Sequence, residues 1–388
     1  MLNKFSCHTD IMFGQNASLS LSSKVKEMDL RHIGMIVDEG VALNTHVQKI
    51  ITSFESDGSF QTNIFRSRAG SEPDYDYLDE VTAFFHDSVI DCIIGIGGGS
   101  ACDLAKGVGI MLRNPGKGID YRGFDKVNIP GVPVILIPTT AGTGTEATRT
   151  AVFTDKKEVR KLGINGKNVG SLLAVLDPMV LLDAPRIIKS GSALDALVHA
   201  IEAFACKNSN TLSKAIGKEA FGLLFNNLVK AIDDKGDIIA HENLFMGSHL
   251  AGIAMYNVGG GPASGISYPL GSHFKVPHGI AGGIFLPHVI RFNVEHGFLD
   301  YAELYDLIDG HKEGLTPEEK SLRFADKFQE FYCDTSAPLN LTGYGVSTKD
   351  IELLVSLTMQ QRLENLKLNP VNFGENDVRY LLSKVIVA

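Results

Sequence analysis

Short runs of valine, isoleucine and leucine without polar alternation recur through the first half of the chain. HIGMIVDEG (32–40) ends in acidic residues and a glycine, and VIDCIIGIGGGSACDLAKGVGIML (89–112) reads as strand, glycine turn and helix. GVPVILIPTTAGTGTE (131–146) is a strand followed by a Thr/Gly loop, and SLLAVLDPMVLLDAP (171–185) is a further strand and turn. Non-alternating strands separated by helical patterns predict a parallel sheet covered on both faces. After Pro185 the period becomes helical, as in ALDALVHAIEAFA (193–205) and DIELLVSLTMQQRLENL (350–366). The expected organisation is an α/β domain over 1–185 and an all-helical domain over 186–388, with no internal repeat and no low-complexity linker.

Composition narrows the partners. A chain of 388 residues is long enough for two cores. With 44% hydrophobic and 21% charged residues it has an ordinary globular composition. A net charge of −9 argues against nucleic acid or an anionic membrane as a main partner. Five cysteines, Cys7, Cys92, Cys102, Cys206 and Cys333, are scattered and odd in number, which suits reduced thiols better than a disulfide frame. The opening MLNKFSCHTDIMFG lacks the pattern of a signal peptide, and no apolar stretch is long enough to span a bilayer. A cytoplasmic protein is expected.

IIGIGGGSACDLAK places Gly97, Gly98 and Gly99 directly after a buried strand. Without Cβ atoms the backbone there can approach a pyrophosphate. Ser100 then opens a helix whose free N–H groups and dipole favour an anion. Ser100 and Asp103 also form an S-x-x-D capping-box pattern. A tight strand-to-helix turn is the plainer reading of the glycines. The second loop, PTTAGTGTE (138–146), tips the balance to nucleotide binding, because ligands of open α/β sheets sit at the carboxyl ends of the strands. No G-K-[ST] follows the glycines, so a Walker-type NTPase is not expected. Asp38 ends the first of these strands, where a carboxylate can bind ribose hydroxyls and oppose a 2′-phosphate, favouring NAD over NADP.

In SGSALDALVHAIEAF, Asp195 and His199 are four apart and share one helix face. Such a pair suits a divalent ion, although it is more often an ordinary salt-linked pair. His278 lies in VPHGI, where Pro277 and Gly279 place it at a turn or helix start, and spacing alone does not link it to Asp195.

Over essentially its whole length the chain resembles the iron-containing (group III) alcohol dehydrogenases. The matching pieces are GGGSACDLAK, IPTTAGTGTEAT, LDALVHAIEAF, LAGIAMYN, YPLG, PHG, LPHV and NPVNFGENDVRYLL, in family order and spacing. The resemblance implies a Rossmann-like dinucleotide domain, a helical metal domain and a cleft between them. It implies cofactor contacts from Asp38, Gly98, Gly99, Ser100, Thr139, Thr140 and Lys161, and metal ligation by Asp195, His199 and His278. The ion would be iron or zinc.

Three departures stand out. Where the family has a further histidine ligand, fourteen residues before His278, this chain has Ser264. Four residues on, where many members carry a histidine near the substrate, it has Tyr268, and an asparagine often found after P-H-G is Gly282. Three ligands with an open position can hold a catalytic metal, but more weakly than four, and His273 is off the face that would allow it to compensate. SYPLG and EATRTAV resemble branches acting on acidic substrates, such as 3-deoxy-octulosonate oxidases and phosphonoacetaldehyde reductases. Arg149 is then either an anchor for a substrate anion or part of a structural salt bridge.

The expected activity is an NAD-dependent, metal-assisted interconversion of a small alcohol with an aldehyde or ketone, with acidic and sugar-like substrates among the candidates. The ion would act as a Lewis acid on the substrate oxygen, with His278 among its ligands, and Tyr268 is the first candidate for moving the proton. A homo-oligomer, first of all a dimer, is expected. Two other readings stay open: a cyclase or lyase of the dehydroquinate synthase kind, for which no cluster of basic residues is evident, and a nucleotide-binding protein with a degraded metal site.

Overall fold

The apolar runs become the central strands of a six-stranded, all-parallel sheet in a computed structural model that describes residues 4–70, 72–308 and 310–387. The chain divides into two compact units. One comprises Cys7–Thr140 and Gly144–Ala184, and the other takes residues 4–6, Ala141–Thr143 and the chain from Pro185 onward.

The first unit carries strands β1 (Asp10–Phe13), β2 (His32–Asp38), β3 (Gln61–Ser67), β4 (Cys92–Gly97), β5 (Gly123–Phe124), β6 (Val134–Pro138), β7 (Thr150–Asp155), β8 (Arg160–Asn165) and β9 (Leu173–Leu176). Its main helices are α1 (Leu21–Glu27), α2 (Thr45–Glu55), α3 (Tyr75–His86) and α4 (Gly99–Met111). The large sheet has the order β1-β9-β6-β4-β2-β3. Every residue of β4, β6 and β9 is buried, as expected of strands covered on both faces. The chain passes from β2 outward to β3 and then returns to β4 on the other flank of β2. The order therefore reverses between β2 and β4, and a crevice opens at their carboxyl ends.

A second sheet, β5-β8-β7, was not evident from the apolar runs. Its β7, TAVFTD, buries Ala151, Phe153 and Asp155 and leaves the residues between them half-exposed, the period-two pattern of a strand covered on one face.

The second unit has no strand among its described residues. Its helices are α5 (Arg186–Ala205), α6 (Thr211–Phe225), α7 (Leu228–Asp233), α8 (Ile238–Val258), α9 (Pro262–Phe274), α10 (His278–Gly283), α11 (Leu286–Glu295), α12 (Ala302–Tyr305), α13 (Pro317–Asp334), α14 (Ile351–Gln361), α15 (Leu363–Lys367) and α16 (Glu375–Val385). From Ala193 to Ala205 every residue of α5 is buried, so this helix is the core of the bundle and not an amphipathic surface element. Leu194, Leu197, Ile201 and Phe204 are fully buried, each contributing about 1.5–3 kcal/mol of apolar transfer free energy. The helical pattern across 350–366 is broken at Arg362, which ends α14 and precedes α15.

Candidate active site

The carboxyl ends of β2, β4 and β6 lie side by side and bring together three segments distant in sequence. Asp38 closes β2, Gly97 closes β4, and Thr139 follows β6, donating its N–H to the Gly97 carbonyl at 2.9 Å. Gly97 is needed for close approach: a Cβ there would lie 2.7 Å from the Cβ atoms of both Asp38 and Ala101. Gly98 is the N-cap of α4 and offers no side-chain cap, leaving the first backbone N–H groups, including those of Gly99 and Ser100, to another acceptor. The Thr139 hydroxyl is buried and has no hydrogen-bond partner. An open helix start, a glycine wall and an orphaned hydroxyl fit a pyrophosphate-bearing cofactor. Burial raises the Asp38 carboxyl above its ordinary range, an effect partly offset by the Gly40 N–H that it accepts at 2.7 Å.

The capping box expected from Ser100 and Asp103 is not formed. The helix begins one residue earlier, at Gly99, and Asp103 is buried with its carboxylate taken by the Thr145 hydroxyl and, at 3.3 Å, by the Lys106 ammonium. The buried carboxylate is satisfied by this pairing, and the local cap does not form. Lys106, which is 1% exposed, also donates to the Thr145 carbonyl at 2.8 Å and its hydroxyl at 2.6 Å, tying the Thr/Gly loop to α4. Lys161 lies on β8 and is ion-paired with Glu72.

In the second unit, α5 and α10 bring Asp195, His199 and His278 together, with one ligand atom from each lying within 4.8 Å of the others. Nε2 of His199 is 3.6 Å and Nε2 of His278 is 3.8 Å from the same Asp195 oxygen. Gly279 makes this possible: a Cβ there would sit 1.8 Å from the Gly191 carbonyl oxygen and 2.9 Å from the Asp195 Cβ. Gly282 faces α5 similarly, with its Cβ position 3.3 Å from Val198, so the small residue serves helix packing.

The orientation of His278 follows from its neighbours. The Ser267 hydroxyl donates to the Ser264 carbonyl at 2.7 Å and so accepts from Nδ1 of His278 at 3.0 Å. With the proton on Nδ1, the Nε2 lone pair is turned toward Asp195, the tautomer a metal ligand requires. Nδ1 of His199 is buried without a partner. One carboxylate and two imidazoles, one of them correctly poised, fit a divalent ion.

Ser264 is engaged elsewhere. Its hydroxyl donates to Glu202 at 2.5 Å, and Glu202 also accepts the backbone N–H groups of Gly261 and Ala263, each at 2.7 Å. This fully buried carboxylate thus caps the start of α9, and burial raises its pKa despite these three hydrogen bonds. Glu202 is seven residues after Asp195 and three after His199, so the shared face was readable from α5 periodicity. His273 is exposed, bonds its own helix through the Pro269 carbonyl, and does not join the cluster. The Tyr268 ring meets His278 edge-on at 4.8 Å, and the Arg362 guanidinium lies over that ring, 3.5 Å from its centroid. No sequence signal pointed to Ser267 or Arg362. Arg149 directly precedes β7 in the first unit, beside His8 and Gly170.

Hydride chemistry on a C–OH carbon needs a seat for a dinucleotide and a group that accepts charge on oxygen, and the chain offers one of each. That places it among the oxidoreductases acting on CH–OH groups. The chain belongs to the iron-containing alcohol dehydrogenase family, whose model matches residues 8–178, while the model of the Fe-containing family's C-terminal part matches 189–386. It is 29% identical over 369 residues to long-chain-alcohol dehydrogenase 1 of Geobacillus thermodenitrificans (strain NG80-2), covering 94% of this chain and 92% of that one. It is also 29% identical to the NAD-dependent methanol dehydrogenase of Bacillus methanolicus, over 88% of this chain and 90% of that one. The crystal structure of a 1,3-propanediol oxidoreductase superposes with a TM-score of 0.93 at 25% identity, covering 100% of both chains. The expected alcohol dehydrogenase or aldehyde reductase activity and the sheet-then-bundle architecture therefore stand, and the family match favours them over a cyclase. No helix among the described residues is long and apolar enough to cross a membrane.

Proposed function

We propose that the chain interconverts a small anionic alcohol with its aldehyde or ketone, using NAD and a divalent ion, iron or zinc, held by Asp195, His199 and His278. The observation that carries the reading is the convergence of these three side chains on one point of the helical unit. When bound, the ion would supply Lewis acidity and the nicotinamide a hydride acceptor or donor. Asp38 would take the ribose hydroxyls, and Gly98, Gly99 and Ser100 the pyrophosphate. Thr139 and Thr140 flank this loop, and Lys161 completes the contacts that the family resemblance implies. Ser267 would hold His278 in its ligating tautomer, and Tyr268, packed against that ligand, is the residue assigned to proton movement.

The anionic class rests on Arg362, one aromatic ring removed from His278. A guanidinium at that distance suits a carboxylate, sulfonate or phosphonate close to the reacting carbon. Arg362 thus replaces Arg149 as the candidate anchor. The five free thiols support a reducing, cytoplasmic setting, and a homodimer remains the expected assembly.

The test is reconstitution of chelator-treated protein with Fe(II) or Zn(II), assayed with NAD on a hydroxy acid and a neutral diol. Activity should return with metal, and Arg362→Met should raise KM for the acid by about tenfold or more with little change for the diol. Activity that survives complete metal removal would overturn the metal assignment, and equal losses on both substrates would overturn the anionic one.

A further inference from the structure

The first unit holds a cavity of about 290 Å³ at the amino ends of its strands, the end of the sheet opposite the glycine loop. Its walls come from the segments leading into β6 (130–133) and β9 (167–172), from His8 ahead of β1, and from Arg149 and Lys106. Four of the lining residues, His8, Lys106, Arg149 and Lys167, are basic, and no acidic residue is among the described ones that line it. This is unexpected in a chain of net charge −9.

The charges are not equally available. Lys106 is answered by Asp103 and by the carbonyls and hydroxyls of the Thr/Gly loop. Arg149 is not: it forms no ion pair among the described residues, and its Nε is a buried donor without an acceptor. A buried donor left without an acceptor is destabilising unless something binds it. Lys167 stands exposed at the rim, likewise without a carboxylate among the described residues. Gly170 keeps the space between His8 and Arg149 open, since a Cβ there would come within 2.9 Å of the imidazole and 3.3 Å of the Arg149 side chain.

We propose that this cavity is a second ligand site, for a phosphate group, with Arg149 and Lys167 as its cationic donors and His8 as its floor. Two unanswered cations call for a dianion. A guanidinium matches phosphate oxygens in two-pronged geometry. The volume lies at the bottom of the range for small-molecule pockets, which suits inorganic phosphate or a small phosphate monoester. In keeping with this, burial, then Arg149 and Lys106, depress the His8 imidazole to about 4, and a bound anion would oppose the part due to the two cations.

Inorganic phosphate and glycerol 3-phosphate are titrated into the full-length protein by calorimetry, with the His8 Cε1–H resonance, assigned through His8→Gln, followed by NMR. At least one of the two should bind and shift that resonance, and the tighter of them identifies free or esterified phosphate as the source. Arg149→Met should weaken that event by about tenfold or more, and Arg149→Lys should restore part of it. Thermal melts confirm that the variants fold. Absence of binding by both probes, a His8 resonance indifferent to them, or undiminished binding in Arg149→Met overturns the site. Because the glycine loop is untouched by these changes, phosphate bound there would persist in Arg149→Met and be told apart.

Discussion

Ser267→Ala tests whether the hydrogen-bond chain behind His278 sets the metal affinity. Ser267 is fully buried; its hydroxyl accepts from His278 Nδ1 at 3.0 Å and donates to the Ser264 carbonyl at 2.7 Å. Alanine removes one oxygen and leaves an imidazole N–H without its acceptor. An unmet buried donor costs about 1–3 kcal/mol. The His278 side chain is 23% exposed, so water can answer part of that loss, and the lower half of the range applies. An independent estimate comes from other metal sites, where removing the outer partner of a ligating histidine weakens binding about 10–100-fold, or about 1.4–2.8 kcal/mol. The two overlap at about 10–30-fold. Competition against a chromogenic chelator measures the dissociation constant directly, and denaturant unfolding of the metal-free protein separates it from a general loss of stability, expected at about 1 kcal/mol. Ser267→Thr keeps the hydroxyl and should stay near the parent. An alanine variant that binds metal as tightly as the parent, or a threonine variant equally weakened, would refute the role given to Ser267.

Three further outcomes follow from the same geometry. Asp38→Gly should shift the ratio of kcat/KM for NADPH over NADH upward by about tenfold or more, since a carboxylate opposing a 2′-phosphate at an effective dielectric near 20 is worth about 1–4 kcal/mol; equal use of both cofactors by the parent protein would refute it. The parent should lose its ion readily to a chelator, and Ser264→His should raise metal occupancy while lowering stability by about 1–3 kcal/mol, because buried Glu202 loses the hydroxyl bonded to it at 2.5 Å. A parent that keeps a full complement of metal through chelator dialysis would count against the three-ligand site. His8 is held well below its ordinary 6.5, at about 4, so the folded state resists its protonation. Its stability contribution is present above 6.5 and is lost as pH falls through that window toward 4, and His8→Gln should flatten the fall in unfolding free energy between these two values.

The class of fold was legible from local pattern because buried parallel strands and helices each leave a period in the sequence. β2, β4, β6 and β9 coincide with the non-alternating apolar runs, and the glycine loop follows β4 where a tight turn and an uncapped helix start demand it. Asp195 and His199 share a face by helical geometry alone, and Glu202 lies on the same face. What joins His278 to them is tertiary: α10 approaches α5 closely enough only because Gly279 and Gly282 have no side chains, and no spacing rule encodes that contact. The same holds for Asp103, whose apparent capping role yields to a buried pairing with Lys106 reached through the fold. Ser267 and Arg362 acquire their meaning from the partners packed beside them, His278 and Tyr268, the former eleven residues away and the latter ninety-four. Sequence period records which face of an element is buried. Only the packed structure decides which buried faces meet, because that depends on the steric fit of residues far apart in the chain.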